Sequence, residues 1–305
     1  MKRFRKLKKM SAGSIAFDTG NYLFMILLIF VTLYPFWHVL MASISNPASL
    51  MTHQGLLLYP LPKFQLGGYR VVLQNPNIPN GYRNTLTYLT VGTAINMIMT
   101  TICAFVLSRK YLMVRNAVMY IIIFTMYFQG GLIPSYLNVR MLGMYNSLWA
   151  IVLPSAISTY NMIIMRTAFA AVPDSMEESA KLDGANELTI LVRILIPLCM
   201  PTIAVMLLFY GVGHWNSWFS AMVYLKDRSK YPLQLILREI LRANSNALDA
   251  TGSGGVVSDA GIDRLPIGET VKFATIIVTT VPVLFIYPFL QRYFVKGVMI
   301  GAIKG

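Results

Sequence analysis

Residues 199–222 read CMPTIAVMLLFYGVGHWNSWFSAM, a run free of Asp, Glu, Lys and Arg, and they follow, after Leu198, on the polar stretch 173–197, PDSMEESAKLDGANELTILVRILIP. The apolar run decides the fold. A hydrocarbon core of about 30 Å takes about 20 mostly apolar helical residues to cross. Apolar residues on every side, rather than on one stripe, suit a helix facing lipid and protein together. Five further runs of this kind flank it: Asn21–Ile44, Asn84–Leu107, Asn116–Asn138, Ser147–Met165 and Phe273–Phe294. The expectation is an all-α polytopic membrane protein with six transmembrane helices. Composition agrees, since 56% of the 305 residues are hydrophobic and 12% are charged, against about 25% charged in an average soluble domain.

Lys and Arg set the orientation. Lys2, Arg3, Arg5, Lys6, Lys8 and Lys9 precede the first run, whereas the loop from Ser45 to Arg83 holds only Lys63, Arg70 and Arg83. The basic N-terminus, 1–20, is therefore expected in the cytoplasm. So are the short loop with Arg109, Lys110 and Arg115, the polar stretch after Arg166, and the tail with Lys296 and Lys304. The six-span body then covers 21–294, with a long outer loop at 223–272 and a cytoplasmic tail at 295–305. The apolar stretch from Asn21 is too long for the h-region of a signal peptide, and no small-residue cleavage site follows it. The net charge of +14 fits attraction to anionic lipid headgroups. Nucleic acid is a poor partner, because the basic residues are scattered over several loops without stacking aromatics. Cys103 and Cys199 lack metal-ligand spacing and read as small packing residues.

The interiors of the runs hold no acid and no Lys or Arg, and two histidines, His38 and His214. Ion-coupled carriers usually keep ionisable groups there. A phosphate-binding Gly-x-x-x-x-Gly-Lys-Ser/Thr loop is also missing. If transport is powered, another subunit powers it.

The polar stretch is where power would enter. Pro173 cannot continue a helix, Asp174 is a good N-cap, and Glu177 three residues later makes an Asp-x-x-Glu capping box. That helix is expected to end near Asp183, with Gly184 taking the left-handed conformation that closes it. A second helix begins around Asn186, has Glu187 near its positive end, and runs until Pro197 breaks it. Met176 and Ala180, at i and i+4, form a small apolar face with Glu177, Glu178 and Lys181 elsewhere around the helix. Such a face suits docking to a partner groove; an ordinary solvated interfacial helix fits the same pattern.

The run Glu178-Ser-Ala-Lys-Leu-Asp-Gly-Ala185, with Ile194 and Pro197 at the following offsets, resembles the EAA loop of ATP-binding-cassette importer permeases. Ser179 replaces the usual Ala, and Leu191 stands where Phe is frequent. Asn84-Thr-Leu, Ser108-Arg109, Trp215-Asn216 and the tail from Gln291 to Gly305 resemble the maltose-type carbohydrate permeases. Gln129-Gly-Gly-Leu-Ile-Pro134 and Tyr231-Pro-Leu-Gln-Leu-Ile-Leu-Arg238 are similar to an oligosaccharide and polysaccharide, lipoprotein-linked subgroup. The resemblance implies a non-catalytic subunit in a bacterial plasma membrane, with both termini cytoplasmic. It also implies a second homologous permease, two cytoplasmic ATPase subunits that bind ATP and Mg, and a solute-binding protein. This chain itself would bind no cofactor or metal. In that scheme Glu178 pairs with a basic residue of the ATPase, Met176, Ala180, Asp183, Ala185 and Pro197 belong to the coupling loop, and Gly184 supplies its turn. The tail from Val295 would insert between the ATPase subunits.

For the solute path, sugars are commonly held by aromatic faces and hydrogen-bonding side chains, and His214, Trp215, Asn216 and Trp218 offer that mixture after Gly211 and Gly213, which loosen a helix. Tyr210 and Asn161 are further candidates. Interfacial anchoring and interhelical hydrogen bonding are the competing readings. The methionines read as gap-filling packing. In the long loop, Pro232–Arg242 has the pattern of an amphipathic helix with Leu233, Ile236, Leu237, Ile240 and Leu241 on one side, and a Gly/Ser/Asn/Ala-rich stretch follows to Gly261 that is expected to be poorly ordered. This helix either contacts a solute-binding protein or covers the spans. Two function classes compete: the sugar-importer permease, with a non-sugar importer as its variant, and a self-contained facilitator or secondary carrier.

Overall fold

Crossing a bilayer without exposed backbone leaves helices as the economical solution for such apolar runs, and among the described residues every regular element is helical. The computed structural model describes residues 12–62, 64–252 and 268–285. Most of the basic N-terminus and all of the tail 295–305 lie outside them. The chain divides into two units, one formed by the segment up to Val72 with Asn244–Ile277, the other by Leu73–Ala243 with the chain from Val278.

In the first unit the helix Ala12–Ser43 presents apolar side chains all round, from Tyr22 through Val31. It begins well before Asn21: residues 12–20 carry a single charge, Asp18, and no proline, so the helix continues through them. Its end is pinned to the loop that follows. The Leu57 N–H donates to the Tyr34 hydroxyl at 2.9 Å, Trp37 Nε1 donates to the Leu58 carbonyl at 2.9 Å, and Leu57 is buried against Met41 and Ala42.

The second unit is organised around the helix Asn77–Ser108, about 48 Å long at 1.5 Å per residue. It packs against Met200–Trp215 and Thr159–Ala170. Phe105, Met162, Met165, Phe169, Leu195 and Met206 are among the side chains of the shared core. In lipid the hydrophobic effect does not drive helices together, so close packing and interhelical hydrogen bonds carry the association. Methionine suits that task, and Met162, Met165 and Met206 are fully buried.

Among the described residues three helices are long and apolar enough to cross a membrane, Gly13–Ser43, Asn77–Ser108 and Gly268–Phe285, or up to five if each of two bent pairs forms one span. The expected run Asn116–Asn138 is two helices, Arg115–Tyr127 and Leu132–Met141, bent by 115°. Its break falls at Gly130-Gly131, where Gly131 has φ +87°, a conformation that glycine takes without steric cost. The run Ser147–Met165 is likewise interrupted: Trp149–Val152 tightens into a 3₁₀ turn at Leu153–Ser155, and Thr159–Ala170 starts afresh behind Ser158 as its N-cap. Pro154 supplies no N–H for continuation. Met200–Trp215 stays helical through Gly211 and Gly213, and ends at Asn216 rather than Met222. The last expected run is helical over its described part, Gly268–Phe285, which includes five residues before Phe273, and residues 286–294 lie outside the described residues.

Of the long loop's stretch expected to be poorly ordered, residues 253–261 lie outside the described residues. Leu233–Gly252 is helical, so helix replaces the irregular stretch expected over residues 243–252. Leu233, Leu235 and Ile236 are buried, so Leu235 joins the inward face while Leu237, Ile240 and Leu241 are half-buried. The Leu233 N–H donates to Thr85 Oγ1 at 2.9 Å and Tyr88 Oη donates to the Lys230 carbonyl at 2.6 Å, fixing the start of this helix to the Asn77 end of the long helix.

Candidate functional site

Two regions of the second unit hold the expected functional residues. The first is the polar stretch. The helix Asp174–Leu182 starts behind Pro173, and Asp174 is its first helical residue, not its N-cap. No capping box forms. The carboxylates instead reach across to the end of the long helix, Asp174 to Lys110 and Glu177 to Arg109. Arg109 is 7% exposed and Glu177 14%. The Arg109 guanidinium also lies over the Phe105 ring, with Cζ 4.3 Å from its centroid. Burial pushes the Arg109 pKa down, while the negative charges of Glu187 and Asp174 oppose that shift. A buried guanidinium with a carboxylate partner is a stiff joint, because separating the pair strands a charge at a cost of about 3–5 kcal/mol.

The other end of the helix closes as the sequence indicates. Gly184 has φ +81°. The Gly184 N–H donates to Lys181 O at 3.0 Å and the Ala185 N–H to Ala180 O at 2.9 Å, the paired bonds of a Schellman closure. Lys181 then spans the turn to Glu187 at 2.9 Å. Asn186 caps the second helix by accepting the Thr189 N–H at 2.8 Å. Pro197 does not break that helix: Glu187–Leu198 contains a π-helical segment at Ile190–Leu195, and the 87° bend into the next helix comes at Cys199. The wider π turn accommodates a residue that donates no N–H.

Ala180 and Ala185 face inward, packed on the core with Met162 and Ile190. They are not part of an outward apolar face with Met176. What points outward is Met176, Glu178, Ser179, Leu182 and Asp183, with Leu188 beyond the turn. Leu182 is 90% exposed. Glu178 forms no ion pair or hydrogen bond among the described residues. The exposure of Leu182 and the pairing of Arg109 with Glu177 are what sequence reasoning missed. Their signal was a basic pair at the end of an uncharged run, and two acids one helical turn apart.

The second region is a cavity of about 530 Å³ beside the middle of the long helix. Asn161, Tyr210, His214, Asn216 and Trp218 all line it, as do Asn96 and Ser158. Trp215 does not. It packs edgewise against Tyr82 and lines a smaller cavity of about 160 Å³ with Gln234 and Thr279. Asn96, overlooked in the sequence although an amide amid an apolar run is a signal, organises the wall. Its Nδ2 donates to the carbonyls of Ser155 and Ala156, which turns Oδ1 toward His214 Nε2 at 2.6 Å. Nε2 therefore carries the proton. The His214 ring sits so close to Gly92 that a Cβ there would fall 2.5 Å from it. The Tyr210 hydroxyl accepts the Ser158 N–H at 3.1 Å and is hydrogen-bonded to the Thr100 hydroxyl at 2.6 Å. His38, in the first unit, lies 3.5 Å from the Tyr34 hydroxyl and edge-on to Phe273. Among the described residues no cluster of His, Cys, Asp or Glu has the arrangement to hold a metal, and Cys103 and Cys199 are free thiols.

Known transport proteins resemble the chain over nearly its whole length. A permease of Bacillus subtilis named for polygalacturonan/rhamnogalacturonan transport, YtcP, is 38% identical over 95% of this chain and 98% of its own length. Protein LplC of the same organism is 35% identical over the full length of both chains. A solved chain from a bacterial ABC transporter involved in import of the acidic polysaccharide alginate superposes with a TM-score of 0.82 at 31% identity, over 94% of this chain and 99% of that one. Residues 82–300 match the model of the binding-protein-dependent transport system inner membrane component. Both regions described above fall inside that match, and the chain belongs to this family of transport permeases.

Proposed function

We propose that the chain is the permease subunit of an ATP-driven importer of oligo- or polysaccharides, with six spans in the bacterial plasma membrane and both termini in the cytoplasm. It forms part of the solute path, and ATP is bound and hydrolysed by partners. The observation that carries the reading is the outward-facing set Glu178, Leu182 and Asp183 on a helix whose inner side is fastened by Arg109–Glu177. A helix serving only as membrane surface needs neither a free carboxylate beside a 90%-exposed leucine nor a buried brace behind them.

Two cytoplasmic ATPase subunits would receive this surface, Glu178 by ion pairing and Leu182 in an apolar pocket. Their closure on ATP would draw the helix inward. The Arg109 joint would hand that displacement to Asn77–Ser108, whose Asn96 forms the cavity wall, so that the solute site opens away from the ATPases. Coupling requires two states with different affinity for ATP and for the loaded solute-binding protein. A second homologous permease would complete the path. The sugar assignment draws on the names of the relatives and on a cavity lined by amides, hydroxyls and Trp218. Isolation in mild detergent tests the reading. It predicts that the ATPase, a second permease and ATP-dependent sugar uptake accompany the chain. A chain that transports alone and without ATP would contradict it.

A further inference from the structure

The cavity has hydrogen-bonding side chains and no charged side chain in its wall, so a neutral sugar meets its needs there and a charged one does not. One cation stands at its edge. Arg238, half-buried on the helix that begins at Leu233, lays its guanidinium on the ring of the cavity-lining Trp218, with Cζ 3.6 Å from the ring centroid. Nearby cations are already matched: Arg228 pairs with Glu239 at 2.9 Å and Lys230 with Asp227 at 3.1 Å. Arg238 has no carboxylate partner among the described residues, and its polar contact is Nη1 to the Met222 sulfur at 3.8 Å, a weak acceptor. Stacking on an aromatic face leaves the five N–H donors of a guanidinium at its rim. The helix that carries it is anchored by buried Leu233, Leu235 and Ile236, so the cation is held in place.

We propose that Arg238 and Trp218 form a subsite for the carboxylate of a uronic acid unit, the sugar resting against the Trp218 edge of the cavity and its carboxylate taking two N–H donors of Arg238. The cargo is then an acidic oligosaccharide. This rests on the sugar-importer reading and narrows it. The names of two similar proteins, one for polygalacturonan/rhamnogalacturonan and one for alginate, point the same way.

The test uses the full complex of permeases and ATPases without its solute-binding protein, so that the latter's own selectivity does not intrude. Binding of an oligogalacturonide and of the same oligomer with its carboxyls reduced is measured by calorimetry for the wild type, Arg238→Lys and Arg238→Gln. The expected result is a preference of about tenfold or more for the acidic form, partly kept by Lys and abolished by Gln, with binding of the neutral form unchanged. An unchanged preference in Arg238→Gln, equal loss of both ligands, or no preference in the wild type would overturn the subsite. Uptake by the complete transporter separates the two readings. If it imports oligogalacturonide while the subsite fails, the importer assignment stands; if it imports no sugar, both fall.

Discussion

The two ends of one problem meet on the helix Asn77–Ser108. At its Arg109 end the chemistry is ionic, with Arg109 buried on Glu177 and Lys110 paired with Asp174 at the surface; at its middle, Asn96 organises a wall of neutral hydrogen bonds to His214 and the Ser155 carbonyl. Charge is expensive within hydrocarbon and cheap at its edge. In the proposed importer, the contact that bears force would sit where a charge pair can be accommodated, and the wall around Asn96 would meet the solute through dipoles.

The sharpest way to break the comparison is at the turn. Gly184→Val puts a β-branched side chain at φ +81°, which L-residues rarely adopt, and is expected to abolish ATPase association and uptake while membrane insertion stays normal. Copurification and an insertion assay read the two separately. Next comes the brace: Glu177→Gln leaves the Arg109 charge buried and unpaired, at about 3–5 kcal/mol. ATP hydrolysis should persist while uptake falls by more than tenfold, and the exchange Arg109→Glu with Glu177→Arg should restore part of it. At the cavity, Gly92→Ala places a methyl 2.5 Å from the His214 ring. It should shift the histidine off Asn96 and lower sugar uptake several-fold, with ATPase association untouched. The smallest effect is expected at Lys110→Ala. That pair is largely exposed, and such pairs contribute about 0–1 kcal/mol, so uptake should stay within about twofold of wild type and depend little on salt.

Much of this was legible in the residues. Uncharged runs report helices well, and Asp183-Gly184 announces a closure that the backbone makes. The breaks were harder to see, because averaging hydropathy over Asn116–Asn138 or Ser147–Met165 hides Gly130-Gly131 and Pro154, which interrupt a helix without changing its polarity. Side-chain direction was hardest. Ala180 sits four residues after Met176, yet Ala180 packs on the core while Met176 stays exposed. Trp215 and Trp218 are three residues apart, but the helix ends between them at Asn216, and they reach different cavities. Partners distant in sequence, such as Arg109 with Glu177, leave only complementary charge as a clue.

The central claim is that energy enters through the outward face of Asp174–Leu182. Attachment of a short photocrosslinker to Leu182→Cys in the complete transporter tests it most directly, since the native thiols, Cys103 half-buried and Cys199 buried, are poorly placed to react. The account predicts a crosslink to the ATPase subunit whose yield changes on adding ATP. A crosslink to the solute-binding protein, or to lipid alone with and without ATP, would contradict it.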